Sequence, residues 1–243
     1  MEKLEKLVSR ERATNPPRVV VIGKAGVGKS TTINNLFSAQ LRTSHALQGT
    51  SAAQLVEYDL RGGGLLHIVD MPGLGEGIDE DAAFERIYRE ELPKADVVLY
   101  VLEADERILR EDQRIFSDVV LPALGDGRGR RLVIGLNKVD LIGPGTWDRR
   151  LNHPDEQQEK SIEGRCRDIA DKLARSVPGL RAENIDFYSA ELRYRLVDLQ
   201  ITLIKASGKA AWKLPVDTKD PFELADPDVQ EYVREWRANN QRG

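Results

Sequence analysis

Cysteine is almost missing from this 243-residue chain. Cys166 stands alone, so no disulfide can form within the chain and the fold must rest on its core. The thiol lies between charged residues of an expected helix, which reads as an inert side chain in a reducing cytoplasm rather than a nucleophile. Apolar runs are short: none approaches the ~20 residues that a membrane-spanning helix requires. The opening stretch "MEKLEKLVSRERATNPP" lacks the apolar centre of a secretory signal. No lipidation signal or amphipathic membrane helix is seen, so no stable membrane anchor is expected. One-sided charge is lacking too. The net charge is -4, with acidic and basic residues interspersed, so direct nucleic-acid binding is not indicated, although ribosome or RNA association stays open. The three histidines are scattered and do not form a metal-binding spacing.

What is present is an alternation of strands and helices. "RVVVI" (18–22), "DVVLYVLEA" (96–104), "RLVIGLN" (131–137) and "NIDFYS" (184–189) read as buried strands. "QLVEYDL" and "LLHIVD" read as a hairpin around a glycine turn. Helices are expected over 29–37, 82–92, 108–120, 155–177 and 191–205. This pattern predicts a mostly parallel sheet with helices on both faces, and ligands at the carboxyl ends of its strands. The chain divides into an N-terminal helical extension (1–15), one main domain (16–206) and a proline-containing linker with a C-terminal helix (207–243). Tyr232 and Trp236 of that last helix are expected to pack back on the domain.

"GKAGVGKST" directly follows the first strand. Gly23, Lys24, Ala25, Gly26, Val27 and Gly28 form a glycine-rich loop whose N–H groups can turn inward around phosphate oxygens. Lys29, Ser30 and Thr31 open the next helix, whose positive end points to the same place. Lys29 is suited to the β- and γ-phosphates and Ser30 to Mg²⁺. "LNKVD" supplies Asn137, Lys138 and Asp140. The Asp140 carboxylate matches the ring N–H and exocyclic amine of guanine, two donors that adenine does not offer on that edge. A site of this kind discriminates by on the order of 10⁴. The Lys138 stem can lie over the base, and Asn137 can tie this loop to the phosphate loop. A backbone N–H of Ser189–Ala190 is expected to meet the guanine oxygen. In "VDMPG", Asp70 can hold Mg²⁺ through water, and Gly73 can offer its N–H to the γ-phosphate. Thr50 is taken as the second Mg²⁺ hydroxyl, with Thr43 and Ser51 as alternatives. Lys29, Thr50 and Gly73 are thus the expected catalytic set.

In order and spacing these motifs resemble the translation-factor-related class of GTPases, which includes Ras, Era, septins and immunity-related GTPases. The resemblance covers about residues 16–206. It implies a Ras-like α/β fold with six strands in the order 2-3-1-4-5-6, the second antiparallel. It further implies GTP and GDP as ligands, Mg²⁺ as cofactor, hydrolysis of GTP as activity and a switch-like role. Two departures bear on mechanism. Leu74 stands where Ras carries the water-orienting glutamine, and Gly26 stands where potassium-activated relatives carry asparagine. Slow turnover by the isolated subunit is therefore expected, with activation by a G-domain homodimer or another partner. Arg42 and His45 are candidate groups in the first loop. The competing reading is a GTP-dependent interaction module with little turnover.

Overall fold

The computed structural model describes residues 16–37, 53–59, 65–73, 78–104, 116–125, 128–208 and 218–240. The expected N-terminal helix, Thr50 and its alternatives Thr43 and Ser51, Arg42, His45 and Leu74 lie outside them.

Strand β1 (Arg18–Ile22) runs through the middle of a six-stranded sheet. Its partners are β3 (Leu65–Asp70) and β4 (Val97–Glu103), both parallel to it. Beyond β4 follow β5 (Leu132–Asn137) and β8 (Ile185–Phe187), again parallel. β2 (Gln54–Asp59) is antiparallel to β3 and closes the other edge. The order β2-β3-β1-β4-β5-β8 is the expected one, β8 being the sixth strand of the sheet. A small ribbon of β6 (Trp147–Asp148) and β7 (His153–Pro154) stands apart from it.

The unbroken apolar runs of β1 and β4 follow from burial on both faces. Val20 and Ile22 belong to the core layer beneath α2 (Ile78–Glu91) and α4 (Glu156–Ser176). Val19 and Val21 belong to the opposite layer, beneath α1 (Lys29–Leu36) and α5 (Leu196–Ser207). Cys166 is buried in the first layer, where loss of hydration pushes its thiol pKa up to about 12 and keeps it protonated.

Three expected boundaries shift. The helix expected to end at Val120 continues as a π-helical turn Phe116–Val120 and then α3 (Leu121–Leu124). Pro122 is tolerated there because the first turn of a helix leaves its N–H groups unbonded anyway. The helix expected from Ala82 begins at Ile78. The last domain helix starts at Leu196, not Glu191. Ser189 and Tyr194 exchange backbone hydrogen bonds of 3.2 and 3.0 Å, which folds 190–193 into a tight loop instead.

The C-terminal helix α6 spans Pro227–Asn240, as expected. Its aromatics do not pack back: Tyr232 is 67% and Trp236 56% exposed. The polar segment ahead of the helix does the docking, and among the described residues of the tail Ala225 is the buried apolar one.

Candidate functional site

The carboxyl ends of β1, β3 and β5 open on one rim, as the parallel register requires: Val21 is level with Asp70, and Glu103 with Asn137. The loop after β1 needs its glycines. Gly23, Gly26 and Gly28 have φ of 147°, 78° and 92°. A Cβ on Gly23 would lie 2.4 Å from the Val101 carbonyl oxygen, and one on Gly28 would lie 2.4 Å from Asn137 Nδ2. Lys29 is 8% exposed and curls back over the loop, its ammonium donating to the carbonyls of Gly23 (3.1 Å) and Lys24 (2.9 Å). The result is a cradle of backbone with one cation at its mouth. Ala25 and Gly26 form its exposed rim, Val27 is buried beneath it and Thr31 is half-buried on the first turn of α1.

Ser30 Oγ donates to Asp70 Oδ2 at 2.7 Å, which joins the start of α1 to the end of β3. Asp70 is 1% exposed, and its Oδ1 is buried without a hydrogen-bond partner. Burial pushes the Asp70 pKa up, against the pull of the Ser30 hydroxyl and the Lys29 ammonium. A buried carboxylate with a spare oxygen beside a hydroxyl is the donor set a small hard cation prefers, so these residues fit Mg²⁺. Gly73 packs against the cradle: a Cβ there would meet the Ala25 nitrogen at 2.6 Å.

At the far end of the rim, Asn137 is 2% exposed and ties two loops together. Its Nδ2 donates to the Val27 carbonyl and its Oδ1 accepts from the Ala190 N–H, both at 2.8 Å. The first bond is the expected tie to the phosphate loop. The second engages the Ala190 N–H, and the Ser189 N–H is given to the Tyr194 carbonyl, so both of the N–H groups expected to meet a guanine oxygen are bonded within the protein. Ser189 is fully buried, and its hydroxyl accepts from the Leu192 N–H. Lys138 adopts φ 61° and pairs with Glu103 at 2.8 Å. Asp140 Oδ1 is buried without a partner, the second such carboxylate oxygen on this rim.

Two further residues brace these loops. Gln158, 2% exposed in the first turn of α4, donates its amide to the carbonyls of Asp140 (2.8 Å) and Ile142 (3.1 Å). Tyr88 of α2 donates its hydroxyl to the Pro72 carbonyl at 2.9 Å, next to Gly73. Nothing in their local sequence marks either one, although a polar tip on the core side of a helix is a weak signal for both. Among the described residues no group of His, Cys, Asp and Glu forms a separate metal cluster, and no helix is long and apolar enough to cross a membrane.

Residues 18–138 match the family described as 50S ribosome-binding GTPase. The uncharacterized protein YkfA of Escherichia coli (strain K12) is 32% identical over 141 residues, 58% of this chain and 48% of its own length. GTPase Era of Aquifex aeolicus (strain VF5) is 27% identical over 130 residues, 52% of this chain and 42% of its own. The chain thus spans about half or less of the curated relatives it matches. Toc33 from Arabidopsis thaliana, solved with GDP and Mg²⁺, shares the fold at a TM-score of 0.62 and 19% identity, over 89% of this chain and 95% of that one. For Toc33, dimerization is described as important for GTPase activity.

Proposed function

With residues 18–138 belonging to that GTPase family, we propose that the chain binds Mg²⁺–GTP, hydrolyses it to GDP and phosphate, and works as a switch whose turnover depends on a second G domain or another partner. One observation carries the nucleotide reading. Among the described residues two buried carboxylate oxygens have no partner, Asp70 Oδ1 and Asp140 Oδ1, and they lie at opposite ends of one rim with the glycine-rich cradle between them. Leaving a buried acceptor unmade is costly. Guanine donors at Asp140 and a magnesium hydration shell at Asp70 satisfy both.

In this reading the Lys29 ammonium leaves the Gly23 and Lys24 carbonyls for the β- and γ-phosphates. Ser30 and Asp70 hold Mg²⁺, with Thr50 as the second hydroxyl. When bound, the cation offsets the negative charge of the phosphates. Gly73, already against Ala25, presents its N–H to the γ-phosphate. Hydrolysis removes that group and frees both loops. Lys138 covers the base, and the loop of Ser189 and Ala190 closes over its edge. Domain limits of 1–15, 16–206 and 207–243 and a cytoplasmic setting complete the proposal.

Leu74 argues for activation from outside. Its side chain cannot orient a water molecule, so another group must. The dependence of Toc33 on dimerization supports a second subunit as that source. The alternative is a GTP-dependent interaction module with little turnover, which Leu74 also favours. Turnover per molecule at saturating Mg²⁺–GTP, followed over a wide range of protein concentration, separates the two. Specific activity that rises with concentration supports completion of one site by another subunit. Flat, slow turnover favours the module.

A further inference from the structure

The segment Thr218–Asp226 is stitched by polar bonds to α1, to the loop between β8 and α5 and to the turn between β6 and β7. The Lys219 N–H donates to the Asn35 carbonyl on α1 at 3.0 Å, while the Asn35 side chain donates to the Ala190 carbonyl at 2.8 Å. Arg193, in the loop that follows Ala190, donates to the Asp220 carbonyl at 3.1 Å and pairs with Glu223. Asn152 is the hub. It is 5% exposed, and its amide nitrogen donates both to the Leu192 carbonyl (2.8 Å) and to the Pro221 carbonyl (2.9 Å). Its oxygen accepts from Trp147 Nε1 at 3.1 Å.

The loop between β8 and α5 needs such support. Arg193 and Arg195 have φ of 58° and 55°, a left-handed conformation that side chains other than glycine and asparagine rarely adopt. Strain of this kind persists only where the surroundings over-determine it. Here the strap holds Arg193, Asn152 holds Leu192 and Asn35 holds Ala190, while Arg195 pairs with Asp186 and lies over the Phe187 ring. The same loop begins with Ser189 and Ala190, and the Ala190 N–H fixes Asn137 and hence the loop that carries Asp140.

We propose that the strap Thr218–Asp226 is part of the guanine site, with Asn152 and Arg193 as positioning residues that hold the 189–195 loop shut and set the rate of nucleotide release. This rests on the guanine-nucleotide reading above. A partner that draws the strap away would then speed exchange without touching the nucleotide.

The test uses the full chain loaded with a fluorescent GDP and chased with excess GDP. Asn152→Asp keeps the oxygen that accepts from Trp147 and removes both amide donations, with a residue that tolerates the left-handed φ of 52° at this position. Release should quicken about tenfold, the loss of a pair of buried hydrogen bonds, and the preference for GDP over ADP should fall in parallel. Glu223→Ala, at a 64% exposed side chain that does not endanger folding, should quicken release about two- to threefold. Faster release in both supports the strap. Release within twofold of the wild type in either variant, or a lowered Tm with release unchanged, overturns it. A wild-type chain that holds no guanine nucleotide brings down the function proposed above, a separate failure from wild-type binding with unresponsive variants.

Discussion

The Tyr88 hydroxyl donates to the Pro72 carbonyl at 2.9 Å from a position with no exposure to solvent. Burial raises its pKa far above the usual phenol range. This bond ties α2 to the segment that carries Gly73. Tyr88→Phe leaves a buried carbonyl without this partner. A loss of roughly 1–3 kcal/mol in stability is expected, together with a larger loss of affinity for GTP than for GDP. Chemical denaturation and paired titrations with the two nucleotides check this. Equal weakening for both nucleotides would remove Tyr88 from any role in sensing the γ-phosphate.

Asp70 poses a conflict between stability and binding. Its pKa is raised in the fold, so as pH falls the folded chain takes up this proton before the unfolded chain does. The contribution of Asp70 to stability is therefore most favourable below its ordinary pKa and is lost as pH rises through the folded value. Asp70→Asn removes the buried charge. It should raise the Tm of the nucleotide-free protein at pH 7, with the gain shrinking in acid. The same change should weaken Mg²⁺-dependent GTP binding about 10- to 100-fold, the size of effect that follows when a metal's immediate support is lost. Thermal melts in chelator across pH, and titrations with and without Mg²⁺, read the two effects separately.

Asp140→Asn should exchange specificity. The amide offers a donor where the carboxylate accepts, which suits the oxygen that xanthine carries in place of guanine's amine. Preference for GTP over ATP, on the order of 10⁴ for a site of this kind, should collapse, and xanthosine triphosphate should become the better ligand. Competition binding with the three nucleotides decides it; unchanged selectivity would take Asp140 out of the base site.

Gly28→Ala should damage both ends of the rim at once. The position has φ 92°, and the new methyl would press on Asn137 Nδ2. The left-handed backbone alone costs roughly 1–2 kcal/mol, and the Asn137–Val27 bond must give way as well. Lower Tm and loss of detectable GDP binding are expected. Gly125 makes the control: its φ of 72° is similar, but an added Cβ meets nothing within 4 Å. Gly125→Ala should lower Tm through strain while GDP affinity holds.

The alternation of strands and helices and the phosphate-loop and guanine-type motifs are legible in the sequence because each depends on contiguous residues, whereas the strand order is implied by the family resemblance and is borne out by the pairing of distant segments. "RVVVI" must be a doubly buried strand, and a glycine loop followed by Lys29 and Ser30 has one economical use. Boundaries are less legible. Pro122 does not end its helix, since a proline in a first turn needs no N–H partner. Glu191 does not begin one, since the exchange between Ser189 and Tyr194 outweighs local helix preference. Tyr232 and Trp236 have the spacing of a packed helix face, yet stay in water because polar residues ahead of the helix anchor the tail.

Short runs of residues thus suffice to propose which ligand groups this chain addresses: phosphate through Gly23–Thr31, magnesium through Ser30 and Asp70, guanine through Asp140. What holds those groups in place follows from the packing of the whole chain. Tyr88, Asn152, Gln158 and the strap brace these loops from other elements of the fold, by hydrogen bonds whose partners are mostly backbone atoms. A backbone carbonyl is the same at every position, so no residue type announces that it will be met. Which one is met depends on how the helices pack against the sheet, and that is settled by the whole core at once.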